Sequence, residues 1–318
     1  MRQKMIIAAC CLLLMAGTIT AQKSSYASVS LHTGMASLGY NVKGLDGVAG
    51  TTSSKIGLGL SLKYNYYFSE HLGFGTGIGL SIYNAEALIK GGLNESNMVS
   101  LGNYTDDDNS GLPKSFTLRA RIADLKEKQN IQFFEIPLTI LYQTRFSYGK
   151  WGAYGSLGVK LQMPIVKRFE AASYKASQLN VSGLYTDPTQ GFEMGAPGMT
   201  PLPEHGFGTL ENPGKTLGWK NSNTELKFGM AGTFEVGAIS RLNNESDFLI
   251  GVYLDYGFSD IKSKSDAQLL AGPSGSYHPE ANDNIGKGII YNGLFNTSLT
   301  DKITPLSVGV KLGLRFKL

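Results

Sequence analysis

PLSVGVKLGLRFKL, residues 305–318, is the stretch on which the reading of this chain turns. Its even positions, Leu306, Val308, Val310, Leu312, Leu314, Phe316 and Leu318, are all apolar. Between them stand Ser307, Gly309, Lys311, Gly313, Arg315 and Lys317, all small or charged. A period of two sends alternate side chains to opposite faces of a strand, so one face here is apolar and the other polar. Such a strand suits a wall with lipid on one side and a polar interior on the other.

The same alternation recurs upstream and predicts eight strands. Ile56, Leu58, Leu60, Leu62, Tyr64, Tyr66 and Phe68 form the apolar face of the second. The third sets Leu72, Phe74, Thr76, Ile78, Leu80 and Ile82 against Gly73, Gly75, Gly77, Gly79 and Ser81. Weaker alternation around Ser28 to Tyr40 marks the first. The fourth runs Phe134–Phe146, the fifth Trp151–Met163, the sixth Leu226–Val236 and the seventh Phe248–Phe258. Short turns follow strands two, four and six, whereas long connections are expected at 41–54, 84–130, 166–223 and 260–303. Short turns at one end and long loops at the other are the layout of an outer-membrane barrel. Phe68, Phe74, Phe146, Trp151, Phe248 and Phe316 fall near the short turns, as an interfacial girdle would. The expected fold is all-β: an eight-stranded antiparallel transmembrane up-and-down β-barrel with long extracellular loops.

The N-terminus fits export. Arg2 and Lys4 precede the apolar run Met5–Met15, and small residues follow to Ala21, so residues 1–21 read as a signal peptide and 22–318 as the barrel. Both termini are then expected in the periplasm. Cys10 and Cys11 are the chain's two cysteines, so the mature protein has no disulfide and no thiolate metal site. With Arg2 and Lys4 removed, 27 of the 29 basic residues face 25 acidic ones, a net charge of +2. That balance offers no electrostatic footprint for nucleic acid. A membrane-crossing chain without spanning helices must close its strands into a ring.

The Phe134-Glu135-Ile136-Pro137-Leu138 strand, the glycine-alternating third and fifth strands, the Ala21-Gln22 junction and the Gly313-Leu314-Arg315-Phe316 ending resemble the PorT-like outer membrane protein beta-barrel family of Bacteroidetes. The resemblance covers essentially the whole mature chain. It implies an outer-membrane barrel, and for the best-known members a part in secretion or gliding machinery.

The polar faces supply the candidate site. Lys63, Arg145, Lys160, Lys227, Lys311 and Arg315, with Glu135, Glu235 and Asp255, are expected in the lumen as a paired ionic plug; Glu225 is expected there too. Eight strands enclose an interior that side chains can fill, and an unpaired buried charge is costly. His32, His71, His205 and His278 stand in no Ser/His/acid spacing, so no catalytic residue is expected. Gly208–Thr216 (GTLENPGKT) imitates a phosphate-binding loop but has five residues where four are needed. Asp106–Gly111 resembles the start of a calcium loop, yet Thr117 stands where the bidentate Glu belongs. No metal or cofactor is expected. Residues 166–223, with Phe192, Met194, Met199, Phe207 and Trp219, are expected to form a contact surface for other outer-membrane proteins. The remaining expected partners are outer-membrane lipid and lipopolysaccharide. The functional expectation is a non-enzymatic structural or accessory subunit presenting its loops to a partner complex or the cell exterior. The alternatives are a secretion component, a small gated channel, or a rim enzyme acting on lipid A or peptides.

Overall fold

The computed structural model describes residues 24–42, 50–90, 98–106, 114–144, 150–172, 174, 177–185, 204–221, 224–264, 267–275, 277 and 285–318. The expected signal peptide and Arg145, Phe192, Met194, Met199 and His278 lie outside them. In chain order the strands are β1 (Ser24–Ser37), β2 (Thr51–Tyr67), β3 (Leu72–Ile89), β4 (Val99–Asp106), β5 (Lys114–Ala123), β6 (Leu125–Gln143), β7 (Trp151–Ala172) and β8 (Gln178–Tyr185). Then follow β9 (Glu204–Glu211), the short helix α1 (Pro213–Thr216), β10 (Lys220–Asn221), β11 (Gly229–Arg241), β12 (Ser246–Gly257), β13 (Leu270–Ala271), β14 (Ile290–Tyr291) and β15 (Leu306–Lys317).

Eight of these strands close into an antiparallel ring. The sheet runs β7-β11-β12-β15-β1-β2-β3-β6, and the pairing of β6 with β7 completes the circle. The final strand meets β1 on one side, from Tyr26↔Lys317 to Ser37↔Leu306, and β12 on the other. At the end where β1 begins and β15 ends, the described connections after β2 and β11 are short turns. One is an Asx-type turn, in which Asn243 Oδ1 accepts the backbone N–H groups of Glu245 (2.9 Å) and Ser246 (2.7 Å).

The outer surface carries a belt of exposed apolar side chains, among them Leu31 (57%), Ile140 (54%), Leu157 (63%) and Val310 (51%). In water so large an apolar surface would drive association; it is a surface for hydrocarbon. On β3 the belt runs from Leu72 to Ile82. At about 3.3 Å per residue and a tilt of about 40°, it covers about 25 Å, the height of a transmembrane barrel's apolar band.

Above the belt the pattern turns inside out. On β3 the outward positions change from Leu80 and Ile82 to Asn84 and Glu86, while the inward ones change from Gly79 and Ser81 to Tyr83, Ala85, Ala87 and Ile89. On β6 the outward Phe134 and Ile136 give way to Gln132, Asn130, Lys128 and Lys126, and the inward Glu135 to Phe133 and Ile131. One end of the ring therefore has the polarity of a water-soluble protein.

This inversion corrects the expected boundaries. The alternation of β3, β6 and β7 continues to Ile89, from Leu125 and to Ala172, through stretches expected to be loop. The sixth ring strand is Gly229–Arg241 rather than Leu226–Val236; Leu226 makes an isolated bridge to Lys262. The described residues of the long connections also include strands. Strands β4, β5, β8 and β9 form a second, four-stranded sheet, and β13 pairs with β14. Together they cover the soluble end of the ring as a head whose core includes Phe116, Leu118, Leu179, Val181, Ile261, Ile289 and Phe295.

Replacing a mid-belt residue with a charge tests the belt. In lipid vesicles Leu157→Arg is expected to cost about 2–4 kcal/mol of unfolding free energy, against within about 0.5 kcal/mol for Ser100→Arg on the head. Equal costs in a urea titration would mean that hydrocarbon does not surround the belt.

Candidate functional site

The ring interior beneath the head is the most concentrated array of charged side chains among the described residues. Strand parity aims Lys63, Glu135, Lys160, Glu235, Asp255, Lys311 and Arg315 inward, from six different strands. They form three tiers. Nearest the short turns, Arg315 Nη2 meets Asp247 Oδ2 at 2.8 Å and its Nε donates to the same oxygen at 3.0 Å. Its Nη1 donates to Gln143 Oε1 at 2.9 Å, and its guanidinium lies 4.2 Å from the centroid of the Tyr26 ring.

In the middle tier Glu235 Oε2 receives Lys311 Nζ at 2.7 Å and Lys63 Nζ at 3.2 Å, while Oε1 accepts the Tyr154 hydroxyl at 2.9 Å. In the third tier Lys160 Nζ bridges Asp255 Oδ2 at 2.6 Å and Glu135 Oε2 at 3.3 Å. The other oxygen of Glu135 accepts Ser81 Oγ at 2.7 Å and Gln162 Nε2 at 3.0 Å. Lys63, Lys160, Lys311 and Arg315 thus stand against Glu135, Glu235, Asp247 and Asp255, four cations to four carboxylates, and the array is formally neutral.

Glycines make the room. A Cβ on Gly59 would sit 2.1 Å from His32 Nε2, and one on Gly251 would sit 2.6 Å from the Tyr154 hydroxyl. The His32 ring thereby lies flat against the wall, edge to face with Tyr253 at 5.1 Å. Between the tiers remain two spaces of about 20 Å³ and about 30 Å³. Each has room for about one or two ordered waters, at about 10–15 Å³ per water, and none for a larger ligand.

Sequence reasoning missed some of this and misplaced some. Arg315 pairs with Asp247, not with Glu135, Glu235 or Asp255. Asp247 shares the inward parity of Leu249, Gly251, Tyr253 and Asp255, so the alternation holds the signal, but the expected seventh strand starts one residue later, at Phe248. Lys227 is a correction: it is exposed and precedes β11, where the ring alternation has not begun, and only its backbone N–H is engaged, by Ile261 O at 2.7 Å. Glu225 likewise faces solvent, accepting Ser263 Oγ at 3.3 Å. Trp219 is a correction too. Only 6% exposed, it stacks on Tyr291 and donates its indole N–H to Ile289 O, so it belongs to the head's core. Phe207 is half-buried, edge to face with Phe116 at 5.5 Å.

A second polar cluster lies inside the head. Glu127, wholly buried, accepts the Tyr291 hydroxyl, Gln129 Nε2 (2.7 Å) and the Leu294 N–H (2.9 Å). Burial and the neighbouring Glu127 push the Tyr291 phenol well above its ordinary range, so it stays a donor. His71 sits at a turn, its Nδ1 2.8 Å from Gln143 O, and His205 is exposed on β9. Among the described residues no three His, Cys, Asp or Glu side chains gather as a metal site.

The sequence matches a known family, described as "Outer membrane protein beta-barrel domain", over residues 20–263. Among solved structures the chain is similar to the outer membrane protein OprG from Pseudomonas aeruginosa, at 13% identity and a TM-score of 0.37, over 94% of this chain and 99% of that one. It is also similar to Ail, the attachment invasion locus protein of Yersinia pestis, solved in complex with the heparin analogue sucrose octasulfate, at 9% identity and a TM-score of 0.25 over 91% and 98%. No curated protein matches the sequence.

Lys160→Met would leave Glu135 and Asp255 without their cation and is expected to destabilise the folded barrel by about 3–5 kcal/mol. Lys227→Met should stay within about 0.5 kcal/mol. Urea unfolding in vesicles reads both, and a small cost for Lys160→Met would rule out the ionic array as a support of the ring.

Proposed function

The chain belongs to the outer membrane protein beta-barrel domain family, and from that premise we propose that it is a non-enzymatic barrel, closed along its axis, that holds a folded head at the cell exterior. The observation carrying this reading is the polarity inversion on β3, β6 and β7. It divides one continuous ring into a portion suited to hydrocarbon and a portion suited to water. On this reading the three charged tiers act as a plug, and the head, rather than a set of free loops, faces outward with both termini in the periplasm.

The role that follows is that of a structural or accessory subunit. A neutral interior crossed by paired charges, with spaces sized for a few ordered waters, supports a closed lumen rather than a conduction path or a substrate pocket. A rigid head cored by Phe116, Leu118, Leu179 and Phe295 supports the reading of a platform, because a contact surface on an ordered scaffold loses less entropy on binding. A part in a secretion assembly is a narrower form of the same role and would be seen as stable copurifying partners.

Purified protein in planar bilayers is expected to give no unitary conductance steps at neutral pH. Reproducible steps would replace the platform reading with the channel one. Protease added to intact cells is expected to cleave in the head region only, and protection of the head there would reverse the proposed orientation.

A further inference from the structure

We propose that the outer surface just above the apolar belt is a binding site for the phosphorylated sugar headgroup of a membrane lipid, which rests on reading the belt as the lipid-facing surface. An open groove of about 970 Å³ lies there across β2, β3, β6, β7 and β10, broad enough to seat a headgroup against the wall. Strand register builds it in two rows. The lower row aligns Asn84, Asn130 and Arg168, and the upper aligns Glu86, Lys128, Glu170 and Lys220.

The charge is unbalanced. Lys55 and Lys126 both pair with Glu86, at 3.1 Å and 3.0 Å, and Lys220 lies 3.5 Å from Glu170. The side chains of Lys128 and Arg168 have no ion pair or hydrogen bond among the described residues. Five cations therefore share two carboxylates, in contrast to the neutral ring interior. An exposed guanidinium fork and a nearby ammonium suit a phosphate monoester. The amides of Asn130 and Gln132 suit the hydroxyl groups of a sugar.

Height decides the source of that phosphate. Immediately below Arg168 on β7 the belt begins with Ile165 (48% exposed) and Met163 (38%), and Leu138 on β6 is 50% exposed. A ligand whose headgroup fills the groove can thus lay acyl chains on the belt without leaving the wall. A soluble sugar phosphate would use the groove and gain nothing from the belt. The ring interior and the head core lack this juxtaposition: there charges are paired or apolar groups are covered.

The test uses the full-length barrel in detergent micelles and native mass spectrometry. The probes are an acylated glucosamine disaccharide bisphosphate, its dephosphorylated form, and its deacylated form. The acylated bisphosphate is expected to stay bound, with loss of the phosphates or the double substitution Lys128→Gln/Arg168→Gln each weakening retention about tenfold. The salt sensitivity of binding should fall in the variant. Equal retention of phosphorylated and dephosphorylated lipid by the native protein would overturn the site, as would full retention by the variant. Retention of the deacylated sugar as tight as that of the lipid would overturn the lipid assignment. Loss of headgroup preference in a barrel that still inserts into vesicles sinks this site alone, whereas failure of the native protein to insert sinks the barrel reading beneath it.

Discussion

Every backbone N–H and C=O inside hydrocarbon has to find a partner within the protein, and strands can satisfy this on both edges only by closing on themselves. In this chain closure depends on the pairing of β15 with β1, strands separated by nearly the whole sequence. The alternation of residues 306–318 is set by that position. One face of β15 borders the belt through Val308, Val310 and Leu312, and the other delivers Lys311 and Arg315 to the interior. A slip of one residue would exchange the two faces. Lys311 and Arg315 would then enter hydrocarbon and leave Glu235 with Lys63 alone and Asp247 without its cation.

Strand number fixes what the interior can be. A ring of eight has room for side chains and little else, so each inward position must either fill space or yield it. Glycines at 59 and 251 yield space to His32 and Tyr154, while four cations and four carboxylates fill the remainder. Charges buried this deeply are stable only when paired and hydrogen-bonded. The array draws its members from strands far apart in sequence, so it also ties the wall across its diameter. Lys63 on β2 reaches Glu235 on β11, on the opposite side of the ring, and Lys160 on β7 holds Asp255 on β12, two strands away.

Much of the ring was legible because lipid imposes a simple rule: apolar out, polar or small in, period two. That rule located all eight ring strands and the inward set Lys63, Glu135, Lys160, Glu235, Asp255, Lys311 and Arg315. It failed where the rule itself ceases to hold. Past Ile82 on β3 and before Phe134 on β6 the solvent outside is water, and the alternation persists with its sign reversed. A reading that demands apolar residues on one fixed face ends the strand there and assigns loop. Trp219 was misjudged for a related reason: an aromatic in a proline-rich stretch reads as exposed contact surface, whereas the head has its own core for it to enter. Lys227 fell to the opposite error, an alternation extended three residues beyond the point where β11 joins the ring.

The reversal also links the two halves mechanically. Strands β3, β6 and β7 cross the belt and continue without a break into the head, so the head's position is set by the same hydrogen-bond ladders that close the ring. The one irregularity in the β6–β7 ladder, between Gln132 and Phe133 opposite Pro164, falls at the level where the outward face changes from apolar to polar. A bulge shifts side-chain parity on the bulged strand by one. On β7 it carries the inward set from Lys160 and Gln162 below to Phe169 and Ala171 above, even positions to odd. The same shift sends Arg168 outward, beside Asn130 and above Ile165. A single extra residue in one strand thus places a cation at the upper edge of the apolar belt and an aromatic ring in the head's core.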